Sequence, residues 1–393
     1  MDKSLNIAVV GAGIGGLAVA IFLVGNGHNL TVFEKFSTAK PLGSGLLLQP
    51  PGQDVLDEIG LLDAIKSKSA PINALHSQNE KGRTILDLHY SDLDGKVRAG
   101  LGVGRAHLHD TLMEKAIADG AKLVLGTEIS IIDAEIGALA TTEKSLGAFD
   151  LIVIATGPRD ILVDQHIKRS KRQYNWSCLW ANVTLPAGCP NDQLDQYCKG
   201  SNHMIGLLPL HQRDDGTTKA AFFWSLRSRR LADWRVQPYE NFVAQVERLW
   251  PAAAKAIAPL SRIDFSHAIY YDIGCKKPWN GKIIAVGDAI HGTSPQLGQG
   301  ATMALLDAKI LAETLQTHQT IEDAFEAFWL LRKKQIQYVR WASKLMTPFF
   351  QSRSPLAGAL RDIVCHKITS HGFGKRIALE TLASEREHFL LWK

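Results

Sequence analysis

Residues 5–25, LNIAVVGAGIGGLAVAIFLVG, run for 21 residues without a charged side chain. A stretch of that length crosses a bilayer, serves as a secretory signal, or is buried inside a protein. The glycines at 11, 13, 15, 16 and 25 decide between these, because they crowd the first half and break any single continuous helix. Only Asp2 and Lys3 stand where a signal needs a basic cluster. The letters read instead as a buried strand Ile7–Val10, a tight turn, a buried helix to about Gly25 and a second strand, LTVFE, ending at Glu34. No targeting segment is expected.

The turn is Gly11-x-Gly13-x-x-Gly16, and each glycine has a separate task. Gly11 permits the bend, Gly13 lets a pyrophosphate approach the backbone, and Gly16 lets the helix lie close on the strand. The helix start presents free N–H groups and partial positive charge to phosphate. Glu34 follows Gly16 by 18 residues, at the tip of the second strand, where a carboxylate accepts ribose hydroxyls. The pattern predicts dinucleotide binding by Gly11, Ala12, Gly13, Gly15, Gly16, Glu34 and Lys35. It does not separate NAD from FAD, although an acid at the ribose argues against a 2′-phosphate.

Composition narrows the class. A chain of 393 residues, 46% hydrophobic and 21% charged, is a soluble globular protein of one large or two ordinary domains. Its net charge of +5 is spread along the chain, which suits an anionic cofactor and is too diffuse for nucleic acid. Cys178, Cys189, Cys198, Cys275 and Cys365 include no C-x-x-C pair, which fits reduced thiols in the cytoplasm and no metal site.

A second glycine-rich turn lies far downstream, in KIIAVGDAIHGTSPQLGQGATMALLDAK, residues 282–309. A strand breaks at Gly287-Asp288, and the Pro295–Gly300 bend opens into an apolar helix starting near Ala301. A reduced isoalloxazine carries negative charge at its N1–C2=O edge, which backbone N–H groups and a helix start stabilise. Asp288 is placed to accept hydrogen bonds from a ribityl chain. This order of elements fits a flavin.

On these residues the sequence resembles the FAD-dependent monooxygenases of the para-hydroxybenzoate hydroxylase type. Their late motif, GD-x-x-H-x-x-x-P-x-x-G-Q-G-x-N, is matched by Gly287-Asp288, His291, Pro295 and Gly298-Gln299-Gly300, followed by Asp307-Ala308. Thr302 stands in place of the asparagine. VGRAHLHDTLMEKA resembles the family's R-x-x-L-x-x-x-L helix, which implies that Arg105 reaches the FAD phosphates or ribityl chain. Residues 41–65 match the loop, strand and helix that pass beside the flavin, and Ile129 falls where relatives touch the adenine through the backbone. Pro295, Gly298, Gln299, Gly300 and Ala301 would frame the ring. The middle motif departs from the family: in FDLIVIATGPRD, Thr156-Gly157 replaces an Asp-Gly pair used near both FAD and the reducing nucleotide. That leaves open how NADH or NADPH docks, with Arg159 either a phosphate contact or an exposed loop side chain.

The resemblance implies an α/β fold: a Rossmann-like FAD-binding domain with an inserted, mostly antiparallel β-sheet substrate domain and a C-terminal helical region. The expected layout is 1–70, 100–173 and 271–320 for FAD, 71–99 and 174–270 for substrate, and 321–393 for the helices. HMIGLLPL and KAAFFWSLR, joined by HQRDDGTT, read as a hairpin. Period-2 spacing puts Phe222, Trp224 and Leu226 on one face and Phe223, Ser225 and Arg227 on the other, and either set could line a pocket. Helical spacing runs from Ile321 to a stop at Thr347-Pro348. The basic, apolar tail beyond it is either a packed cap or a contact for a membrane surface or partner protein.

The activity implied is insertion of one oxygen atom from O2 into an aromatic or similarly activated small molecule, through a flavin hydroperoxide at ring position C4a. NADH or NADPH would be the transient reductant. The alternatives are a reductase or oxidase on the same scaffold, or a flavoprotein acting on a partner protein or quinone-like precursor. His203, His211, Tyr197 and Tyr270 are candidate bases, but no catalytic residue is assigned. No W-x-W-x-I-P segment of the flavin halogenases is present.

Overall fold

Ile7 to Val10 are all buried in the strand Asn6–Val10, so both of its faces need cover and both of its edges need partners. It pairs in parallel with Asn29–Phe33 on one side and Leu151–Ile154 on the other. These lie at the centre of a six-stranded sheet, which continues to Lys122–Val124 at one edge and through Ile283–Ala285 to Trp279–Asn280 at the other. Only the last pairing is antiparallel. In the computed structural model, which describes residues 4–38, 44–93 and 98–386, this sheet carries the helices Ile14–Gly25 and Gly300–Thr317. Those helices pack on each other, with Ala304 Cβ 3.4 Å from the position a Cβ on Gly15 would take. Of the stretch 41–65, residues 41–43 lie outside the described residues.

The second large sheet has seven strands, in the order Ser266–Cys275, Arg169–Thr184, Thr218–Arg227, His203–Gln212, Gln193–Lys199, Ala74–Asn79 and Thr84–His89. It is mixed, with five antiparallel pairings and one parallel, where the sequence suggested a mostly antiparallel sheet. Gln193–Lys199 and Ala74–Asn79 pair in parallel. They come from distant stretches of the chain, so no hairpin dictates their direction. The predicted hairpin His203–Gln212 with Thr218–Arg227 is present.

A three-stranded sheet, Gly45–Leu48, Gly100–Gly104 and Ser69–Ile72, joins the two. Its backbone approaches the large sheet closely: a Cβ on Gly102 would overlap the Pro209 carbonyl oxygen. Strand alternation then settles which face is which. Phe222, Trp224 and Leu226 pack under the helices Tyr239–Glu247 and Pro251–Ile257, with Trp224 edge-on to Phe242 at 5.5 Å. Ala221 and Phe223 turn to the small sheet and share a core with Leu47 and Tyr90.

The helix Ile321–Phe350 runs through Pro348, past the expected stop at Thr347-Pro348. The proline removes one N–H, but the Gln351 N–H donates to the Thr347 carbonyl at 2.7 Å and Phe350 is anchored in the second core. Two further helices, Pro355–Thr369 and Gly372–Leu382, fold back on it. Their basic residues are partly spent internally: Arg361 is buried and donates to the Gly200 and Phe349 carbonyls, and Lys375 pairs with Asp92. Among the described residues no helix is long and apolar enough to cross a membrane.

Candidate functional site

Strand Asn6–Val10 sits where the order of the six-stranded sheet reverses, the place where an open parallel sheet leaves a crevice at its carboxyl edge. Gly11 turns the chain there with φ +105°, and a Cβ on it would lie 2.7 Å from the Ala155 carbonyl oxygen. A Cβ on Gly16 would overlap the Gly11 carbonyl oxygen, so helix and turn touch backbone to backbone. Gly13 differs, because a Cβ on it would meet nothing within 4 Å. The helix Ile14–Gly25 has no side-chain cap and no acid in its first turn. Its N–H groups and dipole therefore face open space.

Glu34 closes one side of this loop. Its Oε2 accepts from the Ala12 N–H at 2.9 Å and its Oε1 from the Phe36 N–H at 3.1 Å, leaving lone pairs for hydroxyl donors. The Lys35 ammonium lies 5.3 Å from the Phe36 ring centroid. Ile129 is buried two residues beyond Thr127, whose N–H donates to the Glu34 carbonyl at 2.8 Å, so this segment passes the Glu34 end. From behind, buried His109 bonds through Nε2 to the Ala12 carbonyl at 2.9 Å. Sequence reasoning missed His109, although it stands one helical turn past Arg105.

Arg105 opens the helix Arg105–Ala118 and is exposed. Its charge is felt at Tyr270, whose phenol burial pushes far above the ordinary range and Arg105 draws slightly back. Thr156, at the end of the adjacent strand, has a buried hydroxyl with no hydrogen-bond partner among the described residues. Arg159 is exposed.

The late turn is built on the helix Gly300–Thr317, which also lacks a side-chain cap and any acid in its first turn. Gly298 delivers it in the left-handed region, φ +61°. Asp288 Oδ1 lies 3.7 Å from where a Cβ on Gly300 would sit, and no donor among the described residues uses that carboxylate. Pro295 and Ala301 are half-buried at the bend. Thr302, in the asparagine position, is fully buried and accepts the Gln49 N–H at 3.2 Å, so its hydroxyl ties two segments together. Gln299 is also buried, and its Nε2 donates to the Thr381 and Leu382 carbonyls at 2.8 and 3.2 Å.

His291 serves the turn through a buried ionic cluster. Its Nε2 lies 2.7 Å from Asp307 Oδ2, which also accepts the Gly287 N–H at 2.8 Å, while Arg332 Nε donates to Asp307 Oδ1 at 2.7 Å. Burial alone would raise the Asp307 pKa, but His291 and Arg332 reverse this and hold it at about 2. Arg332 was not singled out from the sequence, because an arginine in a charged helix carries no sign of its burial.

The four candidate bases scatter. Tyr197 stacks on Trp250 at 4.2 Å and His203 lies tilted against Trp224 at 5.3 Å, both on the face turned from the glycine loops. His211 sits opposite Lys219 near the hairpin end. Tyr270 accepts from Trp180 Nε1 at 3.0 Å and stays protonated. A surface cavity of 590 Å³ beside Thr184, Cys189 and Lys255 lies on other elements altogether.

The arrangement offers two uncapped helix starts, two carboxylates with capacity for hydroxyl donors, and a cradle at Gly13 that only a glycine leaves open. This donor set suits an elongated anionic dinucleotide with a ring at the late turn. The sequence profile of the FAD binding domain family matches residues 4–324. The putative FAD-dependent monooxygenase YetM of Bacillus subtilis (strain 168) is 25% identical over 337 residues, 83% of this chain and 89% of its own. The putative 2-heptyl-3-hydroxy-4(1H)-quinolone synthase AqdB1 of Rhodococcus erythropolis is 29% identical over 350 residues, 85% of this chain and 86% of its own. A variant of Klebsiella pneumoniae HpxO, solved with FAD, superposes with a TM-score of 0.81 at 19% identity, covering 97% of this chain and 99% of that one.

Proposed function

The chain belongs to the FAD binding domain family, and from that premise we propose that it is an NAD(P)H-dependent FAD monooxygenase acting on a small, flat, heteroaromatic substrate. The Rhodococcus relative is named for a hydroxyquinolone, a compound of this class. The single observation that carries the reading is the pairing of two uncapped helix starts with an Asp288 carboxylate that no donor among the described residues uses. Bound FAD supplies the acceptor for hydride and the means of activating O2.

The chain's own residues do the rest. N–H groups at Gly11–Gly16 hold the diphosphate, Glu34 the ribose and Asp288 the ribityl hydroxyls. Arg105, exposed at the start of its helix, neutralises phosphate charge. The start of the Gly300–Thr317 helix stabilises negative charge at the ring edge. Leu47, Trp180 and Phe223 form an apolar wall that seats a flat ligand and excludes water, with their core continuing into the C-terminal helices. Tyr270 keeps its proton and orients this wall through Trp180. The segments 1–70, 100–173 and 271–320 would be the FAD domain. Residues 71–99 and 174–270 would be the substrate domain, supported by their joining in one seven-stranded sheet, whose strands Arg169–Thr184 and Ser266–Cys275 cross the bounds at 173/174 and 270/271.

Anaerobic titration of the yellow protein with NADH and NADPH, with and without hydroxyquinolines and hydroxypyridines, tests this. Accelerated reduction with ligand, followed by an oxygenated product on admitting air, is expected. Reduction that never yields such a product favours the reductase or oxidase reading, to which Thr156 in place of the family aspartate also points.

A further inference from the structure

Gln49 is fully buried, and only half of its side-chain amide is used. Oε1 accepts from the Tyr90 hydroxyl at 2.6 Å, while Nε2 is buried with no partner among the described residues. Turning the amide over does not help. Nε2 would then donate to the phenol oxygen, and both Oε1 and the phenol proton would be left unmatched. Burial pushes the Tyr90 pKa far up, so the phenol remains a donor. The free Nε2 faces the late bend: a Cβ on Gly298 would lie 3.9 Å from it and 3.7 Å from Leu47 Cβ. The Gln49 backbone is fixed as well, its N–H held by Thr302 on the first turn of the Gly300–Thr317 helix. A buried, oriented, unused N–H beside a ligand-framing bend is a donor awaiting an acceptor.

We propose that Gln49 Nε2 donates a hydrogen bond to a ring-bound oxygen of the flat ligand at the Gly298 bend, and that Tyr90 is the positioning residue that sets the amide. The acceptor oxygen belongs either to the flavin ring or to the substrate lying against it. The proposal rests on the reading that the Pro295–Gly300 bend frames the flavin, and the two fail separately. Wild-type apoprotein that takes up no FAD defeats that reading, whereas the variants below test Gln49 alone.

Gln49→Leu keeps the volume and removes the donor, and Tyr90→Phe frees the amide to rotate. Each is compared with wild type for FAD affinity of the apoprotein, flavin absorption maxima and midpoint potential. The holoprotein is titrated with 4-hydroxyquinoline as the substrate-like probe. If the acceptor is on the flavin, Gln49→Leu weakens FAD about tenfold and shifts spectrum and potential. If it is on the substrate, FAD binding stays and the probe weakens about tenfold. Tyr90→Phe moves the same quantity by less. Wild-type FAD affinity, spectrum, potential and probe affinity in Gln49→Leu overturn the proposal. Should Gln49→Leu lower the thermal midpoint of the apoprotein, Tyr90→Phe decides, and its matching wild type in all four overturns it equally.

Discussion

Gly13 and Gly16 share one motif and do different work. Gly16 leaves no room for a Cβ against the Gly11 carbonyl, whereas at Gly13 the space is open and φ is −77°. Gly16→Ala should therefore destabilise the apoprotein by about 1–3 kcal/mol through overpacking. Gly13→Ala should leave the apoprotein melting temperature unchanged and weaken FAD at least about tenfold. Melting curves with flavin-fluorescence titrations check both, and a Gly13→Ala protein that binds FAD normally would remove the diphosphate from this turn. Glu34→Gln loses a charged acceptor at the ribose, which is worth about 1.5–3 kcal/mol. A drop in FAD affinity of roughly tenfold or more is expected, read by the same titration.

The Gly300–Thr317 helix shows what one element does at several points along its length. Its start carries no side-chain cap, Thr302 holds Gln49, and Asp307 collects His291, the Gly287 N–H and Arg332. Asp307→Asn leaves the Arg332 guanidinium buried without its carboxylate, at a cost of about 3–5 kcal/mol in urea unfolding at neutral pH. The pH dependence follows from the folded pKa of about 2 against an ordinary 3.8. The folded value is the lower one, so the stabilisation is complete above about pH 4 and is lost as pH falls from 4 towards 2. It amounts to about 2 kcal/mol. Wild type should lose about 1.5 kcal/mol more stability than Asp307→Asn between pH 6 and pH 2.5, and parallel losses would place the acid sensitivity elsewhere.

At the scale of the whole molecule, the Pro295–Gly300 bend is held by the C-terminal helix Gly372–Leu382. Gln299 donates to Thr381 and Leu382, and Gln335, bonded to Arg332, donates to the Ser384 carbonyl at 3.2 Å. The same C-terminal helix puts Leu379 and Leu382 into the core shared by Leu47 and Phe223. Truncation before Gly372 should yield a chain that loses FAD on gel filtration, although it keeps every residue of both glycine loops. Full FAD retention would show that the bend stands without this support.

The two turns were legible in the sequence because each is dictated locally. A glycine forced to positive φ, a helix start without a cap and a carboxylate at a fixed spacing depend on a few neighbouring residues, and Gly11, Glu34, Asp288 and Gly300 lie where the letters put them. Other features depend on what comes opposite. Period-2 alternation separates Phe222 from Phe223 but cannot say which meets the small sheet, and the parallel join of Gln193–Lys199 to Ala74–Asn79 has no turn to announce it. Buried Arg332, His109 behind Ala12, and Gln49 with its unused N–H draw their meaning from partners far away in the chain. Local stereochemistry sets where a cofactor can be gripped, while long-range packing decides which side chains surround it, because burial and hydrogen-bond partnership exist only once distant segments meet.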